Sequence, residues 1–372
     1  MRNDTPITIE NLAYRNFTLP LRSAKTKINY IQGVQYFMKY LGLESDDYVA
    51  LLKPEPKLIQ SNIIDFTIYC KNRGMSTATV ASYVVAIHKF YDMNDVELKW
   101  KKINSFQGEY YKVVEDRAYS HEELKKMIDI ASIRDKAIML LMCSSGMRVG
   151  SVPSLRIRDL QKIDDYRLYK ITVYAKFLKS QYFTYCTPEA RAAIDNYLDY
   201  RRRAGEQIKE ETPLFRKEFD KENSEQIAHP LKITNVTIYN AVSTLLQKTG
   251  IREVKRMLEE DRKMRKPPRR TELQACHAMR KFTITNMIRA KLDYNIREKL
   301  TGHKISGMDI HYERLEESEF LEEYMKAVDF ITISNEFRLQ KKVEKLNIDR
   351  DALEQRLDAL EAHFQSLMSV KK

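Results

Sequence analysis

No stretch of about 18 consecutive apolar residues, the length a helix needs to cross a bilayer, occurs in this 372-residue sequence. With a mean hydropathy of −0.53, that absence argues against a membrane protein. The opening decapeptide, MRNDTPITIE, lacks the basic-then-apolar order of a signal peptide, so the chain is expected to stay in the cytoplasm. Cysteine is scarce: Cys70, Cys143, Cys186 and Cys276 lie far apart and form no CxxC pair. That spacing indicates neither a disulfide framework nor a zinc site. Cys276 stands beside His277, but no second such pair exists to complete a metal site.

What is present is enough apolar material for real cores, 43% of residues, and a length that accommodates two domains plus an extension. The formal charge of +12 points to a polyanionic partner. Part of it is concentrated: Arg262, Lys263, Arg265, Lys266, Arg269 and Arg270 crowd around Pro267 and Pro268 with no acid among them. Taken alone, such a run is as readily a solvated loop as a ligand surface.

Beyond a polar tail at residues 1–11, residues 12–104 read as a small all-helical domain. From Thr26 to Leu43, Ile28, Ile31, Val34, Phe37, Met38 and Leu41 recur at helical spacing. Ser61 to Cys70 reads as another helix, and Ser76 as the N-cap of a third that carries Val80, Val84 and Ile87. Residues 105–118 lose the period and read as a linker. Ser120 then opens a capping box, and residues 119–330 form a second domain, mostly helical with a small sheet. The β-rich runs ITVYA and QYFTYCT on either side of Lys176 to Lys179 predict a hairpin there. In the tail, 334–370, Leu339, Val343, Leu346, Arg350, Leu353, Leu357, Leu360, Phe364 and Leu367 alternate four and three residues apart. That seam predicts a coiled-coil helix that self-associates, the alternative being one amphipathic helix docked on its own domain. The expected class is therefore mainly α and multidomain, with an all-helical domain, a mixed α+β domain and a C-terminal coiled-coil helix.

Three segments of the second domain combine into one pattern. They are Ser145-Gly-Met-Arg148-Val-Gly, Cys276-His277-Ala-Met-Arg280, and Leu300-Thr-Gly-His303 with Tyr312 nine residues later. In order and spacing, Arg148, His277, Arg280, His303 and Tyr312 resemble the tyrosine recombinase (lambda-type integrase) family over residues 15–325. Each motif alone is common; together, ordered over a long span, they are specific.

That resemblance implies a DNA strand-exchange enzyme acting on double-stranded DNA through a covalent 3′-phosphotyrosyl intermediate, with no cofactor or metal. The helical first domain becomes a core-binding domain that clamps DNA, and four protomers assemble as a tetramer. Cleaving a phosphodiester builds negative charge on the non-bridging oxygens, and two arginines are suited to hold it. The resemblance makes Tyr312 the nucleophile, His277 its base or hydrogen-bond partner, and His303 a contact to the scissile phosphate. Lys176, or as second choice Lys179, protonates the departing 5′ oxygen. Free phenol has a pKa near 10, so attack at neutral pH needs such help. The run containing Lys263, Arg265, Lys266, Arg269 and Arg270 becomes a DNA-binding loop giving backbone affinity.

The sequence departs from the family pattern at Ser151, where an acidic buttress is usual, and at Lys281, where histidine is common. Support around Arg148 is therefore expected to be built differently. Other readings stay open: Arg148 could cap a helix end, His277 could be a buried structural histidine, and Tyr324 is the nearest rival nucleophile. Integration or excision of a mobile element is favoured by the long basic insert and the tail. The alternatives are a type IB topoisomerase, which shares the chemistry, and a catalytically inactive DNA-binding protein of the same fold.

Overall fold

A computed structural model describes residues 9–108, 115–175, 180–252, 271–303 and 316–337, with scattered positions of the tail as far as Leu357. The chain divides into two compact units, the break falling between Glu115 and Asp116. In the first unit, α1 (Ile9–Thr18), α2 (Ala24–Tyr40), α3 (Pro56–Asn72), α4 (Thr77–Asp92) and α5 (Trp100–Ser105) follow one another. Ser23 and Ser76 each accept a backbone N–H three residues on, so the helices begin where short hydroxyl side chains can replace a missing carbonyl. Pro56 opens α3 at a position whose N–H would be unpaired in any case. Val34, Phe37, Met38, Ile63, Phe66, Val84, Ile87 and Phe90 line the shared core.

The second unit is built around α7 (Ile133–Ser145). This helix is apolar on nearly every side, and residues 137–145 are all buried. An α-helix without a polar face has to be surrounded. Here α8 (Pro188–Arg203), α10 (Asn235–Lys248), α11 (Ala275–Arg289), α13 (Glu317–Ile331) and strand β3 pack around it. The helices α6 (His121–Asp129), which starts with the capping box at Ser120, α9 (Ser224–Ala228) and α12 (Tyr294–Leu300) complete the order.

The predicted hairpin is present as β2 (Leu168–Val173) and β3 (Tyr182–Cys186), antiparallel, with Val173 opposite Tyr182 and Tyr169 opposite Cys186. A third strand, β1 (Leu160–Ile163), pairs with the other edge of β2 and escapes the sequence pattern. Its four residues, LQKI, are too short and too exposed to show alternation, and pairing alone defines them. Residues 116–118, read as linker, belong to the second unit: Arg117 N–H donates to the Glu272 carbonyl at 2.9 Å, and its guanidinium pairs with Glu123 and Glu272. Described tail positions are helical, and Leu339, Val343, Leu346, Leu353 and Leu357 are all exposed. Among the described residues no helix is long and apolar enough to cross a membrane.

Below α8, a carboxylate is enclosed by two arginines. Glu206 pairs with Arg201 (Nε to Oε2, 3.0 Å) and Arg216 (Nη1 to Oε2, 2.7 Å), all three being buried. Arg201 also donates to the carbonyls of Pro213 and Leu214, so this cluster fixes the loop that returns from α8. Burial raises the Glu206 pKa, but the hydrogen bonds and charges of Arg201 and Arg216 outweigh it and hold the carboxyl below its ordinary range. A depressed carboxylate contributes stability that is complete above the unfolded-state pKa and is lost as pH falls through the folded one. Glu206→Gln should cost about 3–5 kcal/mol at pH 7, since it strands two buried guanidiniums. Urea midpoints should show the gap to the native protein narrowing below about pH 4; a gap independent of pH would refute the assignment.

Candidate active site

Two glycine-terminated helix ends and one helix face build the site. Helix α7 stops at Gly146, whose φ of +63° is a left-handed conformation that a side chain would strain. A Cβ there would also crowd Thr283 of α11 at 3.2 Å. The turn releases the chain directly into Met147 and Arg148. Helix α12 ends in a Schellman motif: His303 N–H donates to the Glu298 carbonyl at 2.9 Å, and Gly302 N–H to Lys299 at 3.0 Å. Gly302 sits at φ +67°, and a Cβ on it would lie 2.5 Å from the Tyr182 ring. The glycine-histidine dipeptide is thus a helix stop that aims an imidazole.

Arg280, 5% exposed on α11, draws these ends together. Its Nη1 donates to the carbonyls of Gly146 and, at 2.8 Å, Thr301, while Nη2 lies 2.6 Å from His303 Nε2. Arg148, which is exposed, donates from Nη1 to the Gly302 carbonyl at 2.7 Å. The helix-capping reading of Arg148 is therefore satisfied in the same contact that brings it to the site. Neither arginine has a carboxylate partner among the described residues. Carbonyls at helix C-termini carry partial negative charge, so they solvate a guanidinium without cancelling its unit charge. Burial, then the neighbouring Arg148, pushes the Arg280 pKa down to about 10, which leaves it protonated at neutral pH.

A guanidinium can only donate, so His303 Nε2 has to accept from Arg280. The proton then sits on Nδ1, which faces Glu298 Oε2 at 2.7 Å and Thr301 Oγ1 at 3.2 Å. Burial and the charges of Arg280 and Arg148 lower the His303 pKa, against the opposing pull of Glu298. His277 stands one turn before Arg280 on α11 and is exposed, which excludes the buried structural reading. Burial of part of its ring, Lys281, Arg280 and Arg148 lower its pKa, with Asp116 opposing. Both imidazoles are thus neutral near pH 7.

Both departures from the family pattern have a structural counterpart. Ser151 is fully buried and donates from Oγ to the Arg148 carbonyl at 2.6 Å, so it braces the turn rather than the guanidinium. Lys281 bonds Asp116 through the carboxylate at 2.8 Å and the carbonyl at 2.7 Å. Tyr324, the rival nucleophile, is a core residue of α13 whose hydroxyl donates to the Ser144 carbonyl at 3.0 Å. Burial raises its pKa far above the ordinary value, which disqualifies it. Tyr312, Lys176, Lys179, and the basic residues Arg262, Lys263, Arg265, Lys266, Arg269 and Arg270 lie outside the described residues.

Sequence reasoning passed over Glu298 and Tyr182. Glu298 carried a usable signal, because a Schellman motif necessarily brings its third-last helical residue to the residue after the glycine. Tyr182 carried none, being one aromatic in a β-rich run.

Residues 117–319 match the family model described as the phage integrase family. Tyrosine recombinase XerD of Listeria monocytogenes serotype 4b is 23% identical over 146 residues, which cover 37% of this chain and 48% of that protein. XerD of Oceanobacillus iheyensis is 28% identical over 113 residues, 28% of this chain and 37% of that protein. The chain spans about half the length of the curated relatives it matches, or less. Among solved structures, the Tn1549 transposon integrase in complex with transposon right end DNA aligns with a TM-score of 0.55 at 13% identity. That alignment covers 92% of this chain and all of the other. A lambda integrase dimer bound to a COC′ core site aligns at 0.53 and 13%, covering 84% and 81%. At that identity the likeness is one of fold.

The contact between Glu298 and His303 has a measurable sign. Because Glu298 raises the His303 pKa, Glu298→Gln should move it further below about 6.5 in the free protein. Imidazole NMR titration reads this directly, and an unchanged or raised value would remove Glu298 from the site.

Proposed function

The chain belongs to the phage integrase family, and from that membership we propose that it is a site-specific recombinase that cleaves and rejoins double-stranded DNA through Tyr312. The observation that carries the reading is the pair of guanidiniums, from Arg148 and Arg280, held with His303 on helix-end carbonyls and without an ion-paired carboxylate among the described residues. A scissile phosphate brings the missing negative charge. It replaces His303 as the acceptor for Arg280, and the two arginines take up charge on its non-bridging oxygens as the transition state forms.

In that reaction the Tyr312 oxygen attacks phosphorus and its proton passes to His277, neutral and therefore able to accept it. The bond from phosphorus to the 5′ oxygen breaks, and Lys176 protonates that leaving oxygen. The 3′-phosphotyrosyl ester conserves the bond energy, so a 5′ hydroxyl of a second duplex reverses the step without ATP. Once Arg280 has released it, His303 takes up a proton from solvent at Nε2, stabilised by Glu298, and donates it as a hydrogen bond to the phosphate.

The wider reading follows the same chemistry. Residues 12–104 act as a core-binding domain, and the stretch with Lys263, Arg265, Lys266, Arg269 and Arg270 supplies contacts to the DNA backbone. Four protomers form a tetramer on DNA, and the tail heptads pair copies of the chain, since their described apolar positions are exposed. The basic insert and the tail favour integration or excision of a mobile element.

Incubation with a nicked suicide duplex should give a covalent 3′-phosphotyrosyl adduct, absent in Tyr312→Phe and slowed about 100-fold or more in Arg148→Ala. An undiminished adduct in Tyr312→Phe would overturn the nucleophile. Relaxation of supercoils without exchange of duplexes would point to a topoisomerase of the same chemistry. In sedimentation, Leu346→Glu combined with Leu353→Glu should reduce the assembled mass of the free protein, whereas an unchanged mass would exclude pairing through the tail.

A further inference from the structure

One polar group at the site has no hydrogen-bond partner among the described residues. The Tyr182 hydroxyl, on the first residue of β3, is buried and makes no hydrogen bond among the described residues. Its ring packs against the α12 stop. Cζ, the carbon that bears the hydroxyl, is 2.6 Å from where a Cβ of Gly302 would be, and Cε1 is 2.5 Å from it. Only glycine admits the ring. Tyr174 also packs against it, its ring meeting Tyr182 edge-on at 6.3 Å between centroids. Tyr174 itself holds a φ of +58°, a conformation a bulky residue adopts only under constraint.

This placement sets the ring against the turn whose Thr301 and Gly302 carbonyls hold Arg280 and Arg148. Burial raises the phenol pKa, and Arg280 and Arg148 act on it through space in the opposite direction. A buried hydroxyl without a partner is destabilising, and phenylalanine would fill the same space without that cost. A ligand that enters between the arginines would supply the partner.

The geometry points to Tyr182 as a further catalytic residue, whose hydroxyl donates a hydrogen bond to a non-bridging oxygen of the scissile phosphate alongside Arg148 and Arg280. The inference rests on the recombinase reading above. A phosphate that displaces His303 from Arg280 would offer the hydroxyl the acceptor it lacks. The phenol keeps its proton throughout: burial pushes its pKa up to about 12 despite the pull of Arg280 and Arg148. It is a donor, and no bond to phosphorus forms through it.

The test uses the full-length protein and the nicked suicide duplex, made with the scissile phosphate as an ordinary diester or as either phosphorothioate diastereomer. Tyr182→Phe should slow adduct formation about 100-fold on the diester, the scale of removing one preorganised donor. Its DNA affinity should stay unchanged, and its melting temperature should be equal or higher. Sulfur accepts hydrogen bonds poorly, so on one diastereomer the native protein and Tyr182→Phe should react at nearly the same rate. A Tyr182→Phe protein as fast as the native one on the diester would overturn the assignment. Equal slowing on all three substrates would also overturn it, since that marks a packing effect. No adduct from the native protein would instead defeat the recombinase reading, and this inference with it.

Discussion

Arg280 is the residue on which the site depends. Its guanidinium lies inside the second unit, on α11, and reaches the last carbonyls of α7 and α12 together with the imidazole that follows α12. Helix ends leave unpaired carbonyls by construction, and burying them beside one another is unfavourable unless a donor is shared. A guanidinium, with five N–H groups in a plane, meets that need at two helix ends at once. The cost is a buried cation, visible in a pKa pushed down to about 10. Glu298 acts on it only through space, and no carboxylate among the described residues forms an ion pair with it, so the charge remains available to an incoming anion.

The same arrangement sets the protonation of its neighbours. Arginine donors leave His303 only one tautomer, and that tautomer turns its remaining N–H toward Glu298. Burial, helped by neighbouring cations, lowers the pKa of both imidazoles. An anion between the arginines reverses the local field. With an anion there, Glu298 would stabilise a charged His303, which would link binding to protonation through one chain of contacts from carboxylate to imidazole to guanidinium.

Rigidity comes from how the glycine stops are packed. Gly146 leaves little room for a Cβ beside Thr283 of α11, whose hydroxyl donates to the Cys143 carbonyl at 2.7 Å and so ties α11 to the last turn of α7. Gly302 is covered by the Tyr182 ring from the sheet. Each turn that presents a functional group is therefore clamped from a second element, and Ser151 braces the backbone of Arg148 in place of a longer acidic side chain. The central helix α7 carries no functional side chain, yet its burial on all sides fixes where Gly146, and hence Arg148, can be.

What the sequence by itself determined was local or combinatorial. Capping at Ser76 and Ser120, the hairpin strands around Lys176, and the ordered set Arg148, His277, Arg280, His303 and Tyr312 all follow from near-neighbour spacing or from co-occurrence along the chain. Such signals are legible because helix periods, caps and motif intervals are one-dimensional. Only the tertiary structure decided the rest. It added β1, whose four residues become a strand through pairing; it retired Tyr324 to the core by giving its hydroxyl the Ser144 carbonyl. It also joined Glu298 to His303 and set Tyr182 over Gly302, contacts that depend on where the helix stop and the sheet meet in space. A residue's type and interval state what chemistry it can do, but its charge state, tautomer and free hydrogen-bonding capacity depend on neighbours that sequence distance does not record.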